Sequence, residues 1–119
     1  MDAQGTMRLM FATMDAYDRR DFDRLAEIYD QHASWIGTEP GAWDRTNRDE
    51  IFARFREGME AGVHVAFDEM RSTSTHVILE THVDDSDPLV SVFTFEGRRI
   101  VRVQDRDTME AAEAAIRAS

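Results

Sequence analysis

Apolar residues recur every three to four positions through the first half of the chain and every second position through much of the rest. Met7, Met10, Phe11, Met14 and Tyr17 share one face of a helix predicted over residues 6–19. Asp21 reads as the N-cap of a second helix, with Phe22, Leu25, Ile28 and Tyr29 on its buried side. Residues 32–36 predict a short strand. Residues 37–45, GTEPGAWDR, carry two glycines and a proline and predict a loop. Asn47 with Glu50 three residues later fits a capping box. The third helix it opens should run to about Met59, bury Ile51, Phe52, Phe55 and Met59, and stop at Gly62.

Beyond Gly62 the period shortens to two. Residues 63–71 read as a strand. Residues 75–83 alternate, with Val77, Leu79, Thr81 and Val83 on one side and His76, Ile78, Glu80 and His82 on the other. A turn over 84–88 leads to two strands, 89–95 and 99–105, folded back around Glu96 and Gly97. Asp107 or Thr108 caps a last helix, 109–117, whose alanines predict loose packing. Helices first and strands after predict one α+β domain over 1–119, a bent, mostly antiparallel sheet with helices on one face. Such a sheet does not close into a barrel. Its curvature leaves a cavity under the helices, the default place for a ligand.

Composition narrows the chemistry. With 119 residues, 42% of them hydrophobic, the chain can bury one core, and a mean hydropathy of −0.51 is that of a soluble protein. No apolar run approaches the roughly 20 residues that span a bilayer, and the N-terminus lacks a signal-peptide layout, so cytoplasmic residence is expected. The absence of cysteine excludes disulfides, thiolate metal sites and cysteine nucleophiles. A net charge of −10 argues against a nucleic-acid partner. All basic residues are arginine, which excludes a Schiff-base or phosphate-loop lysine. The amphipathic helices carry acidic polar faces, so no membrane partner is expected. No phosphate loop, nucleophile elbow or metal-binding helix motif occurs, and no cofactor is expected.

Asp105 follows Val101 and Val103 at period two, so the three should face alike. Facing inward, it places a carboxyl on an apolar cavity wall, where desolvation favours the neutral form and makes a usable general acid or base. If the strand has already ended, it is a solvated acid beside a helix N-terminus. His76, Glu80 and His82 share a face and suggest an oriented base or a metal cluster. The opposite face is more apolar, which points them outward, and no further ligand is spaced to complete a metal site. His82 stands with Asp105 as a candidate acid or base. Trp35 and Trp43 flank the 37–45 loop, either as a lid over a ligand or as a cover for the end of the core. The aromatic and methionine stripes supply the remaining candidate ligand contacts: Phe11, Met14, Tyr17, Phe55, Met59, Phe93, Phe95 and Val103.

Three stretches together resemble the nuclear transport factor 2-like superfamily, and within it the SnoaL-like group. They are a first helix ending in YDRRDFD, a strand ending in Trp35 ahead of a third helix opened by RDEI, and the hairpin FTFEGRRIVRV. The loop from Trp35 to Trp43 is similar to one in a bacterial subset of that group, much of it without an assigned activity. The resemblance implies a cone-shaped α+β fold, a strongly bent mixed or antiparallel sheet on three helices plus a short C-terminal helix. Where the isomerase branch carries its aspartate base, tyrosine and protonated aspartate, this chain has Gly37, Thr13 and Ser91. Steroid-isomerase chemistry by that arrangement is therefore not implied. The carboxylate used for proton transfer by SnoaL-like cyclases has its nearest counterpart in Asp105. The reading is a protein that binds a small apolar molecule in a mostly apolar pocket. The alternatives are an acid/base enzyme acting on a small apolar carbonyl compound, and a non-catalytic dimerisation module. A homodimer through the sheet is expected, because its outer face carries apolar positions a monomer would expose.

Overall fold

A computed structural model describes residues 1–38, 41 and 44–118. Trp43, expected as a lid or a cover for the core, lies outside the described residues. The first helix, α1 (Ala3–Asp18), begins three residues before the periodicity starts, because Asp2 caps it: its side chain accepts from the Gly5 N–H at 2.7 Å. Asp21 caps α2 (Phe22–Ile28) and Asn47 caps α3 (Arg48–Glu60), as their spacing predicts. The Glu50 carboxylate reaches back to the N–H and hydroxyl of Thr46, and these bonds hold it below the usual carboxylate range.

Tyr29 is not on α2. The backbone turns extended there, and β1 (Tyr29–Ile36) follows the helix without a break. The other strands are β2 (Val65–Ser72), β3 (His76–Val83), β4 (Leu89–Glu96) and β5 (Arg99–Arg106). They form one open sheet in the order β1-β5-β4-β3-β2, antiparallel except for the parallel pair β1 and β5. Between β4 and β5 the turn has two residues, with Glu96 opposite Arg99. Gly97 takes φ +58°, which tight hairpins demand and which side chains with a Cβ resist.

One face of the sheet packs under α1, α2 and α3. Leu9, Leu25, Ile28, Ile51, Val77 and Ile100 are among the core side chains, all essentially without solvent contact. Arg48 ties α3 to the end of α2, donating from Nη1 to the carbonyls of Ala26 (3.0 Å) and Tyr29 (3.4 Å). A register shift between Thr94 and Phe95 corrects the period-two reading of β5. Ile100 rather than Val101 lies opposite Phe95 and enters the core; Val101 is only half-buried. Downstream of the shift Val103 and Asp105 keep the inward side.

The last helix, α4 (Met109–Ala118), is capped by Thr108, whose hydroxyl accepts from the Ala111 N–H. It does not pack loosely. Met109, Ala112 and Ile116 cover Ile78, Val90 and Val92 on the outer face of the sheet, and Ala112 is fully buried. Glu113 on α4 pairs with Arg71 on β2. The apolar outer positions that suggested a subunit contact are thus covered in part by the chain itself. Among the described residues no helix is long and apolar enough to cross a membrane.

Candidate functional site

Between the sheet and the three helices lies a cavity of about 690 Å³. Its inner end is aromatic because four elements each contribute a ring. Trp35 of β1 stands edge-on to Phe55 of α3 and to Phe93 of β4, at centroid distances of 5.8 Å in both cases. Phe55 in turn meets Tyr17 of α1 at 5.1 Å. Such edge-to-face pairs fix ring positions as well as filling space. Trp35 is held further by paired backbone bonds with Arg45, N–H to carbonyl in both directions (2.9 and 2.8 Å), which bring the far end of the loop back against β1. The Asp44 carboxylate accepts from the N–H groups of Gly37 and Gly41 and closes the loop on itself.

Asp105 sits on this wall. Strand pairing sets Ser91 directly opposite it, and the parallel pairing of β1 with β5 brings Trp35 alongside. Trp35 Nε1 donates to both Asp105 oxygens, at 3.1 Å to Oδ1 and 3.0 Å to Oδ2. Ser91 Oγ donates to Oδ1 at 2.8 Å. Burial raises the Asp105 pKa above the ordinary carboxylate range. The Trp35 and Ser91 bonds, with the charges of Arg54 and Arg106, oppose that rise without cancelling it. Oδ2 accepts only one of these bonds, so a lone pair remains for a proton or a ligand donor. Burial also raises Tyr17, together with the neighbouring Asp18 charge, and pushes Tyr29 well above the ordinary phenol value.

Of the residues singled out from sequence, Met14, Tyr17, Trp35, Phe55, Phe93 and Asp105 line this one cavity. Phe95 and Val103 are buried in the core behind it, and Met59 is half-buried without lining it. Phe11 is 47% exposed, its ring edge-on to Phe67 at 6.3 Å. His82 is placed on the outer face, opposite Ala66, with Nδ1 2.8 Å from an Asp68 oxygen. It does not line the cavity and does not meet Asp105 there. His76 is also outward, its pKa lowered by burial and by Arg102. Among the described residues no group of three or more histidine or acidic side chains is placed to hold a metal ion.

Thr13, Gly37 and Ser91 all line the cavity. These are the positions where the resemblance placed the isomerase groups. None carries an acid, and Ser91 instead supports the carboxyl one strand over. Sequence reasoning did not single out Ser91, Arg45 or Arg54 as lining residues, whereas the Leu79, Thr81, Val83 row lies inward as its apolar face indicated. The alternation over 77–83 was signal enough for that row. For Ser91, the odd-numbered positions 91, 93 and 95 already shared a face, and the resemblance had put it at a site position, but only as one lacking the isomerase acid.

No protein-family model and no curated protein matches the sequence. Solved structures do match in fold. Bal32a, from a soil-derived mobile gene cassette, superposes with a TM-score of 0.72 over 89% of this chain and 91% of its own, at 23% identity. A SnoaL-like protein of unknown function from Burkholderia thailandensis gives 0.70 over 87% and 93%, at 17% identity. A protein with a ketosteroid isomerase-like fold from Catenulispora acidiphila, solved in complex with trimethylamine, gives 0.62 over 89% of each chain, at 19% identity. Likeness at these identities speaks to the fold alone.

Proposed function

We propose that this chain, which has the nuclear transport factor 2-like cone fold in its SnoaL-like form, binds a small, largely apolar carbonyl compound and moves a proton on it through Asp105. The observation that carries the reading is a desolvated carboxyl on the wall of an apolar cavity, aimed by Trp35 and Ser91 and still offering a lone pair. An ionised Asp105 takes the proton from the carbon next to the carbonyl, and the resulting neutral acid returns it. A raised pKa suits both halves of that cycle. Arg54, which lines the same cavity and whose charge acts on Asp105, favours the enolate formed between the two steps.

The test is proton exchange. Small ketones incubated with the protein in heavy water are followed by NMR at the carbon beside the carbonyl. The wild type should accelerate exchange, and Asp105→Asn should lower the rate about 100-fold or more, the usual contribution of a general base, with an unchanged circular dichroism spectrum. Exchange that survives the substitution overturns the role given to Asp105. A second reading, binding without conversion, draws on the three protein hydrogen bonds that Asp105 already accepts. Ketones that bind without exchanging would favour it.

Pairing of two copies through the sheet is proposed for the part of the outer face on the β5 side, where Arg102, Gln104 and Arg106 stand, since α4 covers the β3 and β4 positions. Sedimentation of wild type and Arg102→Glu tests that contact; an unchanged mass would reject it.

A further inference from the structure

Among the described residues six large apolar side chains stand well exposed, and five of them gather at one place. Phe11, Val63, Val65, Phe67 and Leu89 are 37–47% open to water. Four of these five also line the cavity, and the fifth, Phe11, rests edge-on against Phe67. The apolar surface is therefore continuous from inside the cavity to the outside of the molecule.

Strand register sets its distance from the acid. Asp105 lies opposite Ser91, Ser91 opposite Leu79 and Leu79 opposite Met70, in one row across the sheet. The next row toward the opening is Leu89, Thr81 and Phe67, and the one after it is Val83 and Val65. Successive rows on one face are two residues, about 7 Å, apart. The acid row carries the polar groups on the sheet side, and the two outer rows are apolar apart from Thr81. The remaining polar lining is Thr13, Tyr17, Asp18, Arg54 and Glu57 on the helices and Arg45 on the loop, two acids against two arginines, which gives no net charge to select a charged ligand. Exposed apolar surface that continues a binding cavity marks where more of a ligand, or a partner, is covered.

We infer that the ligand is an elongated, uncharged amphipathic carbonyl compound: its polar head meets Asp105 and its apolar tail leaves the cavity over Val65, Phe67, Val83 and Leu89. The inference rests on the reading of Asp105 as the head-group contact. It makes Val65 and Phe67 specificity-determining residues, which reward tail length while doing nothing for the head.

Straight-chain methyl ketones from hexanone to dodecanone serve as probes, with binding read from tryptophan fluorescence and calorimetry. Fully burying a methylene is a factor of about four in affinity, and a half-covered tail should give roughly twofold per methylene. The wild type should therefore bind dodecanone tens of times more tightly than hexanone. In Val65→Ser/Phe67→Ser that ratio should fall below about fivefold. Both positions are exposed on an edge strand, so folding should survive, and Leu89→Ser approaches the same mouth from β4 if it does not. A wild-type ratio near one, or an equal ratio in the variants, overturns the inference. So does a loss of dimer mass in the variants with the ketone ratio unchanged, since the mouth would then be a subunit contact. Asp105→Asn separates the two proposals. Loss of proton exchange concerns the head, whereas the chain-length ratio reports on the mouth alone.

Discussion

Replacing Trp35 by phenylalanine removes one N–H and keeps an aromatic ring between Phe55 and Phe93. What is lost is the donor shared by both Asp105 oxygens. A hydrogen bond to a charged group contributes about 1.5–3 kcal/mol, so Trp35→Phe should be less stable by that amount at neutral pH. In a chain of this length that is a fall in Tm of roughly 6–12 °C. The pH dependence carries the sign. Burial raises the folded Asp105 pKa above its unfolded value. The stability linked to its proton is therefore fully present below the unfolded value and is lost as pH rises through the folded one. Trp35 favours the ionised form, so its loss raises the folded value further, and the deficit of the variant grows from acid toward neutral pH. Urea unfolding of wild type, Trp35→Phe, Asp105→Asn and the double variant, repeated across that window, gives the coupling between the two side chains. A coupling of about 1–2 kcal/mol at neutral pH is expected for groups in direct contact. A coupling under about 0.5 kcal/mol, or a deficit that shrinks as pH rises, refutes the account of how Asp105 is held.

Ser91→Ala removes the buried hydroxyl that donates to Asp105 at 2.8 Å and should lose about 1–2 kcal/mol in urea unfolding, again more at neutral than at acid pH. Gly97→Ala forces a Cβ into φ +58° and should lower stability by about 1–2 kcal/mol in thermal melts. Arg48→Met leaves the Ala26 and Tyr29 carbonyls without their donor and should lose about 1–3 kcal/mol in urea unfolding, with the circular dichroism spectrum unchanged. Ending the chain after Asp107 bares Ile78, Val90 and Val92; dye binding and sedimentation should then report exposed apolar surface and self-association.

The elements were legible because most of their apolar residues obey one period. Where a boundary was misread, a local event had broken the rule. Tyr29 follows Ile28 in helical spacing, but the backbone turns extended there with no glycine or proline to announce it. Val101 sits at the right interval before Val103, but the register shift hands its place to Ile100. The bearing of Asp105 depended on whether β5 reached that far, and only pairing with Ser91 and the neighbouring Trp35 decides it. His82 meets Asp68 through an irregularity in β2 that its sequence does not advertise. The alanines of α4 read as loose packing. Their small size instead lets the helix lie close on Val90 and Val92, with Ala112 fully buried in the contact.

The placement of α4 has one more consequence. β4 is the middle strand of the sheet, with Val90 and Val92 under α4 and Ser91, Phe93 and Phe95 under the other helices, all of them buried. Its amides should exchange hydrogen only when the whole molecule opens, whereas the edge strand β2, exposed from Val65 to Glu69, should exchange by local opening. The cavity thus has one wall that holds and one that yields. Asp105 and Ser91, on β5 and β4, should keep their spacing on the firm side, and β2 should be the side that adjusts to the girth of a ligand. Fixed acid geometry and tolerance for ligands of different bulk would then fall to different strands.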